Sequence, residues 1–281
     1  MKIGVLSLGD CLDDPVSGAV TSPAERHRAI VDEGVLAETL GFDSVWLGEH
    51  HFCDYVLAAP PVVLAAIAAR TTRIRLGTGV TLLANLDPVR VAEDYATVDA
   101  ISNGRVELSV GRGILVDTYE VFGQKPDQSR ERFRENLELL RRLWSERDVT
   151  WSGRFRAPLD HVTVEPRPVQ RPHPPIWVGG EGRHRTLPIV GRYADVWHGW
   201  AAHATQLTEI NGIIDRAAEE AGRDPSSIMR ASSLSISEPW DQVKAASEWM
   251  TAGGIGYLVI DWPSEGQGRL EEFLEQVLPT L

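Results

Sequence analysis

The sequence predicts a single (β/α)8 barrel, because eight short apolar stretches alternate with stretches of helical periodicity along the chain. The apolar stretches are nearly continuous, as expected for parallel strands that are buried on both faces. The length of 281 residues slightly exceeds the roughly 250 residues typical of one such barrel. We therefore expect an α/β fold in which residues 1–281 form one domain, and a closed barrel in place of an open doubly wound sheet.

The predicted elements follow one another in a regular order. The first strand, KIGVLSL, precedes a helix for which Ser22 is the expected cap and Pro23 the first residue. A stretch at residues 149–174 interrupts the alternation with two strand-like pieces, a turn and five prolines, and it predicts a hairpin insertion before strand five. The remaining strands, in chain order, are DSVWLGE, RIRLGTGV, RVELSVG, PPIWVGG, ADVWHGW, SIMRASSLSI and IGYLVIDW.

Composition excludes several classes of function. Forty Asp and Glu residues against 28 Lys and Arg residues give a formal net charge of −12, which repels nucleic acids and anionic membrane surfaces. The sequence lacks both a signal peptide and an apolar run of the ~18 residues that a membrane span needs, so a cytoplasmic location is expected. Cys11 and Cys53 form no C-x-x-C pair, which argues against a disulfide framework or a zinc site.

The end of predicted strand two carries the most reactive group of side chains. In a (β/α)8 barrel the active site lies where the strands end, and this strand ends in Glu49, His50, His51 and Phe52. Histidines beside a carboxylate suit acid–base chemistry near neutral pH, and only one of two adjacent histidines can face the barrel axis. Packing under a loop remains an alternative role. The run lacks the histidine spacing of H-E-x-x-H, so no metal is expected.

A second group of residues predicts a phosphate site. The glycine-rich stretch of residues 179–183 ends strand five and opens a helix, where free backbone N–H groups attract anions, helped by Arg183 or Arg185. Arg112, between two glycines after strand four, offers a bidentate guanidinium. The alternative is that these are surface arginines paired with local carboxylates. Among nine tryptophans, Trp197 and Trp200 end strand six, where they would wall a planar ligand or simply pack.

Several long runs resemble one known family. The run GFDSVWLGEHHF resembles the start of bacterial luciferase and its luciferase-like flavin oxidoreductase relatives. The run GTGVTLLANLDPVRVAEDYATVDAISNGRVELSVGRGILVDTYEVFG is similar to the same family, as are SRERF, PPIWVGG and RYADVW. The resemblance covers residues 1–200 well and the remainder loosely. It implies a (β/α)8 barrel with a hairpin excursion, which agrees with the strand count, and it implies a homodimer.

The resemblance also implies roles for individual residues. His50 matches the histidine required for oxygen chemistry on the flavin, with Glu49 beside the ring system and expected to orient His50. Gly79 and Val80 match a non-prolyl cis peptide bond that lies under the flavin ring, and Trp197 lies near the family's ring-proximal aromatic positions. The phosphate-holding positions are matched by Arg112, Gly180, Glu181, Gly182 and Arg183, and less securely by Thr186.

Two segments of the sequence resemble family members with different cofactors, so the choice of cofactor remains open. EHHF resembles members that use FMN, whereas PPIWVGGEGRHRTLPIVGRYADVW resembles members that bind a deazaflavin coenzyme. FMN is favoured because EHHF lies at the reacting centre. With no G-x-G-x-x-G nucleotide motif, the leading hypothesis is an FMN-dependent monooxygenase that takes reduced FMN from a separate reductase and uses O2 to oxidise a small organic substrate. The alternatives are a deazaflavin-dependent hydride-transfer oxidoreductase, a non-catalytic flavin-binding accessory subunit and a metal hydrolase.

Overall fold

The computed structural model describes residues 1–11, 21–200 and 203–280. The first strands are β1 (Lys2–Ser7), β2 (Ser44–Leu47), β3 (Arg75–Thr78), β4 (Thr81–Leu82), β5 (Val106–Gly111) and β6. The label β6 is used for a hairpin of two short strands, Val149–Trp151 and Leu159–Val162.

 The strands that follow are β7 (Ile176–Gly179), β8 (Val196–Gly199), β9 (Met229–Leu234) and β10 (Tyr257–Asp261). The helices are α1 (Pro23–Leu40), α2 (Pro60–Ala68), α3 (Pro88–Ser102), α4 (Val116–Val121), α5 (Ser129–Ser145), α6 (Thr186–Tyr193), α7 (Ala204–Glu220), α8 (Trp240–Ala252) and α9 (Gln267–Gln276).

Eight of these strands close into a parallel barrel, which confirms the predicted fold. The order around the barrel is β1, β2, β3, β5, β7, β8, β9 and β10, and β10 pairs with β1. Pairing of β3 with β5 completes the ring. The short strand β4 pairs with the end of β5 and so extends the barrel at its carboxyl end. The antiparallel hairpin β6 precedes β7, the fifth barrel strand, as predicted.

The first helix begins and ends where the sequence predicts. Ser22 caps α1 by accepting a hydrogen bond from the backbone N–H of Glu25 at 3.2 Å, and the Glu25 carboxylate accepts the Ser22 N–H at 3.0 Å. Pro23 occupies the first helical turn, and Gly41 ends the helix with a φ of 90°. These local signals fix the path of the chain between the first two strands of the barrel.

Large side chains fill the interior of the barrel below its carboxyl end. A cluster of inward-facing residues includes Leu6, Trp46, Trp177 and Tyr257, and the ring centroids of the two tryptophans lie 4.4 Å apart. Trp46 is a core residue. Because the interior is packed, a ligand has room only above it, at the mouth formed by the strand ends and their loops.

Within the described ranges, no helix combines the length and apolar character needed to cross a membrane.

Candidate active site

The carboxylate of Glu49 ties two loops of the barrel mouth together. Its side chain is 5% exposed, just beyond the end of β2. One oxygen lies 2.9 Å from Nε2 of His51, and the other accepts the backbone N–H of Leu82 in β4 at 3.1 Å. Glu49 therefore holds the loop after β2 against the extension of the barrel at β4.

The imidazole of His50 has a different environment from that of His51. It stacks on Tyr55 with ring centroids 4.6 Å apart, and it lies over Gly48, where a Cβ atom would come within 3.2 Å of Nε2. The expectation that Glu49 orients His50 is wrong, because the carboxylate contacts His51 instead. Burial, and to a lesser extent the neighbouring His51, lower the pKa of His50. At pH 7 it is a neutral imidazole that both donates and accepts a hydrogen bond.

Gly79 and Val80 form the floor of the mouth. The peptide bond between them is cis, as the family resemblance implies. A Cβ atom on Gly111 would lie 2.6 Å from Cγ2 of Val80, and one on Gly179 would lie 3.2 Å from Cγ1. The ends of β5 and β7 can approach this floor because both residues are glycines.

Two buried polar side chains, Ser109 and His198, point into the barrel interior. Ser109 is fully buried, and its hydroxyl has no hydrogen-bond partner within the part of the chain that the structure describes. His198 contacts the Ser233 hydroxyl at 3.1 Å, and burial lowers its pKa to about 4. The signal that identifies them is strand alternation, since Ser109 shares its face with Gly111 and His198 shares its face with the inward Val196.

Trp197 corrects one of the sequence-based expectations. It does not border a ring-binding space, because its side chain is 0% exposed and packs in the layer between the barrel and the helices. Alternation along β8 turns Val196 and His198 inward and therefore Trp197 outward. Its indole N–H donates to the carbonyl of Gly180 at 2.9 Å. Trp197 thus supports the glycine-rich loop from below.

The loop between β7 and α6 is shaped by its own contacts. Gly180 has a φ of 119°, which favours glycine, and a Cβ atom on Gly182 would lie 2.8 Å from the Thr186 hydroxyl. Glu181 accepts the backbone N–H of Trp200 at 2.6 Å. Arg183 pairs with Glu209 of α7 at 2.5 Å. Glu181 and Arg183 therefore bind protein groups, and the N–H of Gly180 donates to the carbonyl of His198 at 2.9 Å, while Gly182 is exposed.

Arg112 lies beside this loop and borders a large cavity. Its guanidinium donates to the Ser129 hydroxyl at 3.2 Å, and Ser129 begins α5. The cavity, about 930 Å³ in volume, lies between α5 and α6, and Arg112, Gly179, Gly182 and Thr186 are among its lining residues. Arg130, which sequence analysis missed, lines the same cavity. In the sequence, only the position of Arg130 next to Ser129 could have indicated this role. That position is informative only when Ser129 is known to contact Arg112.

The described part of the chain contains no group of three His, Cys, Asp or Glu side chains that could hold a metal ion. Cys11 is partly buried and Cys53 is exposed, and both are free thiols. Their loops meet through a hydrogen bond from the Cys11 N–H to the carbonyl of Asp54 at 2.9 Å.

The burial of His198 leads to an expected pH dependence of stability. Its pKa is about 4 in the folded protein against an ordinary value of 6.5, so protonation below pH 6.5 favours the unfolded chain. Between pH 7 and pH 4 we expect this group to remove about 3 kcal/mol from the free energy of unfolding. Urea unfolding of the wild type and of His198→Gln at several pH values checks this. Equal losses of stability in both proteins would contradict it.

Comparison with known proteins identifies the family. The sequence model of the luciferase-like monooxygenases matches residues 1–276, and the chain belongs to that family. The family resemblance expected from the sequence is thereby confirmed. The monooxygenase RslO1 of Streptomyces bottropensis has a similar structure, with a TM-score of 0.87 and 27% identity over 100% of this chain and 99% of that one.

The names of two curated relatives state different cofactors, a flavin in one and F420 in the other. The oxygenase component of the flavin-dependent trigonelline monooxygenase of Acinetobacter baylyi is 32% identical over 164 residues, which cover 56% of this chain and 45% of the relative. The F420-dependent glucose-6-phosphate dehydrogenase of Amycolatopsis mediterranei is 33% identical over 179 residues, covering 59% of this chain and 50% of the relative. The chain thus spans about half the length of these relatives.

Proposed function

We propose that the chain is the oxygenase component of a two-component, FMN-dependent monooxygenase that oxidises a small organic substrate. The observation that carries the proposal is the environment of His50. Its imidazole is neutral near pH 7 and has no carboxylate partner among the described residues. It lies at the mouth whose floor is formed by Gly79 and Val80. The relative from Acinetobacter, named as an oxygenase component, supports this assignment. A separate reductase and a homodimeric assembly are part of the proposal.

The residues of the mouth fit a flavin mononucleotide. The glycines at positions 111 and 179 let β5 and β7 approach the floor at Val80 closely, and the buried Ser109 hydroxyl is unpaired within the described residues. Arg112 and Arg130 line the neighbouring cavity, and neither pairs with a carboxylate in the described part of the chain. The backbone of Gly182, with the first turn of α6, would hold the phosphate together with these arginines.

The protein's contribution to the reaction follows from these positions. Bound reduced FMN supplies the electrons that activate O2. His50 is placed to hold or transfer a proton at Nδ1 or Nε2, because its lowered pKa keeps it neutral near pH 7. Glu49 acts on His51 and the Leu82 backbone, so it positions the loop and does not take the proton itself. These roles require that water be excluded from the mouth.

An exposed set of apolar side chains, of which Phe52 and Phe122 contact the ring of His51, suits the exclusion of water. We call it the apolar rim. The Phe122 ring lies 4.9 Å from the ring of His51 and 5.8 Å from that of Phe52, so the loops after β2 and β5 meet here. Ile114 is 84% exposed and Phe52 is 63% exposed. The rim favours an organic substrate with an apolar surface. Its members are Phe52, Ile114, Leu115, Val116, Val121 and Phe122.

A deazaflavin-dependent hydride-transfer enzyme is the second candidate. The arginine-lined cavity beside the phosphate loop favours it, because such a coenzyme carries negative charge beyond its phosphate. The F420-dependent relative from Amycolatopsis supports it as well. A non-catalytic flavin-binding subunit is less well supported, since it would not need a neutral histidine at the mouth.

An anaerobic titration distinguishes these candidates. Protein is titrated with reduced FMN and, separately, with reduced deazaflavin coenzyme while absorbance is recorded. Oxygen is then admitted with a flavin reductase and a panel of aldehydes, ketones and N-heterocyclic compounds, and product is measured because free reduced FMN consumes oxygen on its own. We expect FMN binding and oxygen-dependent product. Product formed without oxygen from the deazaflavin alone would overturn the proposal in favour of the second candidate.

A further inference from the structure

We propose that the ends of β8, β9 and β10 bind a protonated amine group of the substrate, with Asp261 as its counter-ion and Trp200 as an adjacent aromatic face. The inference rests on the proposed function and deepens it, because it names the substrate class of the same mouth. The proposed cofactor site uses the ends of β3, β5 and β7, so the ends of β8, β9 and β10 remain for the substrate.

Strand register turns the side chain of Asp261 toward the barrel axis. Tyr257 and Val259 of β10 belong to the inward-facing cluster, and Asp261 follows two residues later on the same face. The next residue, Trp262, packs against the outer layer between the barrel and the helices. Its backbone N–H donates to the carbonyl of Leu6 at 2.8 Å, so the pairing of β10 with β1 holds the strand end in this orientation.

The carboxylate of Asp261 has no partner of its own. Among the described residues, neither a hydrogen-bond donor nor a cationic side chain contacts it. It is exposed at the open mouth, yet the surrounding protein desolvates it enough to raise its pKa. This combination indicates a negative charge that is partly desolvated without compensation, and a cationic ligand would supply the compensation. The net charge of −12 also attracts cations to the protein.

The inward side chains next to Asp261 are polar but uncharged. His198 of β8 and Ser233 of β9 contact each other at 3.1 Å between Nε2 and Oγ, and β9 pairs with both β8 and β10. Burial lowers the pKa of His198 to about 4, so its imidazole is neutral at pH 7. We call these three residues the polar wall. Its charge at neutral pH is that of Asp261, and it contains no cation that would repel an amine.

The indole ring of Trp200 lies at the outer end of the polar wall. Its ring centroid is 5.2 Å from that of His198, and the residue is 58% exposed. Its backbone N–H donates to the Glu181 carboxylate, which fixes the chain at this point. β8 and β10 are two strand spacings apart, about 10 Å. A small amine can therefore contact both the Asp261 carboxylate and the indole face, and indole faces attract cations.

The apolar rim lies across the mouth from the polar wall. The loops that form the rim follow β2 and β5, which are the second and fourth strands around the barrel, whereas β8, β9 and β10 are the sixth to eighth. A substrate whose ammonium group contacts Asp261 would direct its apolar part over the floor at Gly79 and Val80 toward the rim. The expected substrate is therefore an amine with an apolar body.

The test compares two probes of nearly the same size, one charged and one neutral. Dissociation constants of benzylamine, which is protonated at pH 7, and of benzyl alcohol are measured by ligand-observed NMR with FMN-loaded protein. The proteins are the wild type, Asp261→Asn, Asp261→Glu and the control Asp160→Asn, which removes an exposed carboxylate of the hairpin. Because Asp261 has no partner among the described residues, Asp261→Asn should fold normally, and a thermal melt verifies this.

We expect the wild type to bind benzylamine about tenfold more tightly than benzyl alcohol. Asp261→Asn should lose most of this preference, Asp160→Asn should keep it, and Asp261→Glu should recover part of it. The affinity for FMN should be the same in all four proteins, which separates loss of the subsite from a general loss of structure.

Two different failures can be told apart. If FMN binds but the wild type does not prefer benzylamine, or if the preference survives in Asp261→Asn, the amine subsite is refuted and the proposed function stands. If FMN does not bind, the proposed function is refuted together with the inference that rests on it.

Discussion

Replacing His50 with Ala is expected to lower the rate of substrate oxidation by about 10²- to 10⁴-fold, the usual contribution of a positioned acid–base group. The reason is its neutral imidazole, which both accepts and donates at pH 7 and which stacks on Tyr55 beside the floor of the mouth. Product formation from the substrate panel, with reduced FMN supplied continuously, measures the effect. The dissociation constant of FMN should change little, because the phosphate contacts lie on other strands.

Two further variants separate this role from a general loss of structure. His161→Ala removes an exposed histidine of the hairpin and should leave the rate unchanged. His50→Gln restores a hydrogen-bond donor without a titratable group, so it should recover little activity if proton transfer is the role. A His50→Ala protein that oxidises substrate at the wild-type rate would rule out the assignment.

Replacing Arg112 with Gln is expected to raise the dissociation constant of FMN by about 10- to 100-fold, as for the loss of a charge-assisted contact to phosphate. The guanidinium donates to the neutral Ser129 hydroxyl, interacts with the Tyr119 hydroxyl and has no carboxylate partner among the described residues, so its charge is available to a ligand. Quenching of flavin fluorescence on titration measures the affinity. Arg112→Lys keeps the charge but loses the planar fork, and it should give an intermediate value.

The comparison variant Arg183→Gln makes this prediction specific. Sequence analysis assigned Arg183 to the phosphate, but its guanidinium pairs with Glu209 in the structure. We therefore expect a much smaller effect on FMN affinity than that of Arg112→Gln. If both substitutions weaken FMN binding equally, Arg183 must leave Glu209 to bind the ligand. That result would contradict the assignment of phosphate binding to Arg112 and not to Arg183.

The barrel could be predicted from sequence because its signals are local and repeated. Each strand is a short apolar stretch, each helix has its own periodicity, and caps such as Ser22 with Glu25 are encoded within four residues. The hairpin was predictable for the same reason, since its prolines interrupt the alternation. The location of Glu49, His50 and His51 at the mouth then followed from the rule that sites lie at the carboxyl ends of barrel strands.

The contacts within the site could not be predicted in this way. Beyond the end of β2 the chain is no longer a regular strand, so alternation did not show that Glu49 contacts His51 and not His50. Sequence analysis placed Trp197 near the flavin ring. The side of the sheet to which its side chain points depends on how β8 pairs with the neighbouring strands, which the sequence does not reveal. Arg130 escaped notice because it lies on a helix, and only the fold brings it to the cavity that Arg112 borders.

Our proposal requires that this mouth direct oxygen to an organic substrate with the help of reduced FMN. Isotope labelling tests it most directly: the substrate panel is incubated with protein, FMN, a flavin reductase and ¹⁸O2, and products are analysed by mass spectrometry. We predict one labelled oxygen atom in the product and its loss in His50→Ala. Product that contains no label, formed equally well without oxygen when deazaflavin coenzyme replaces FMN, would contradict the claim.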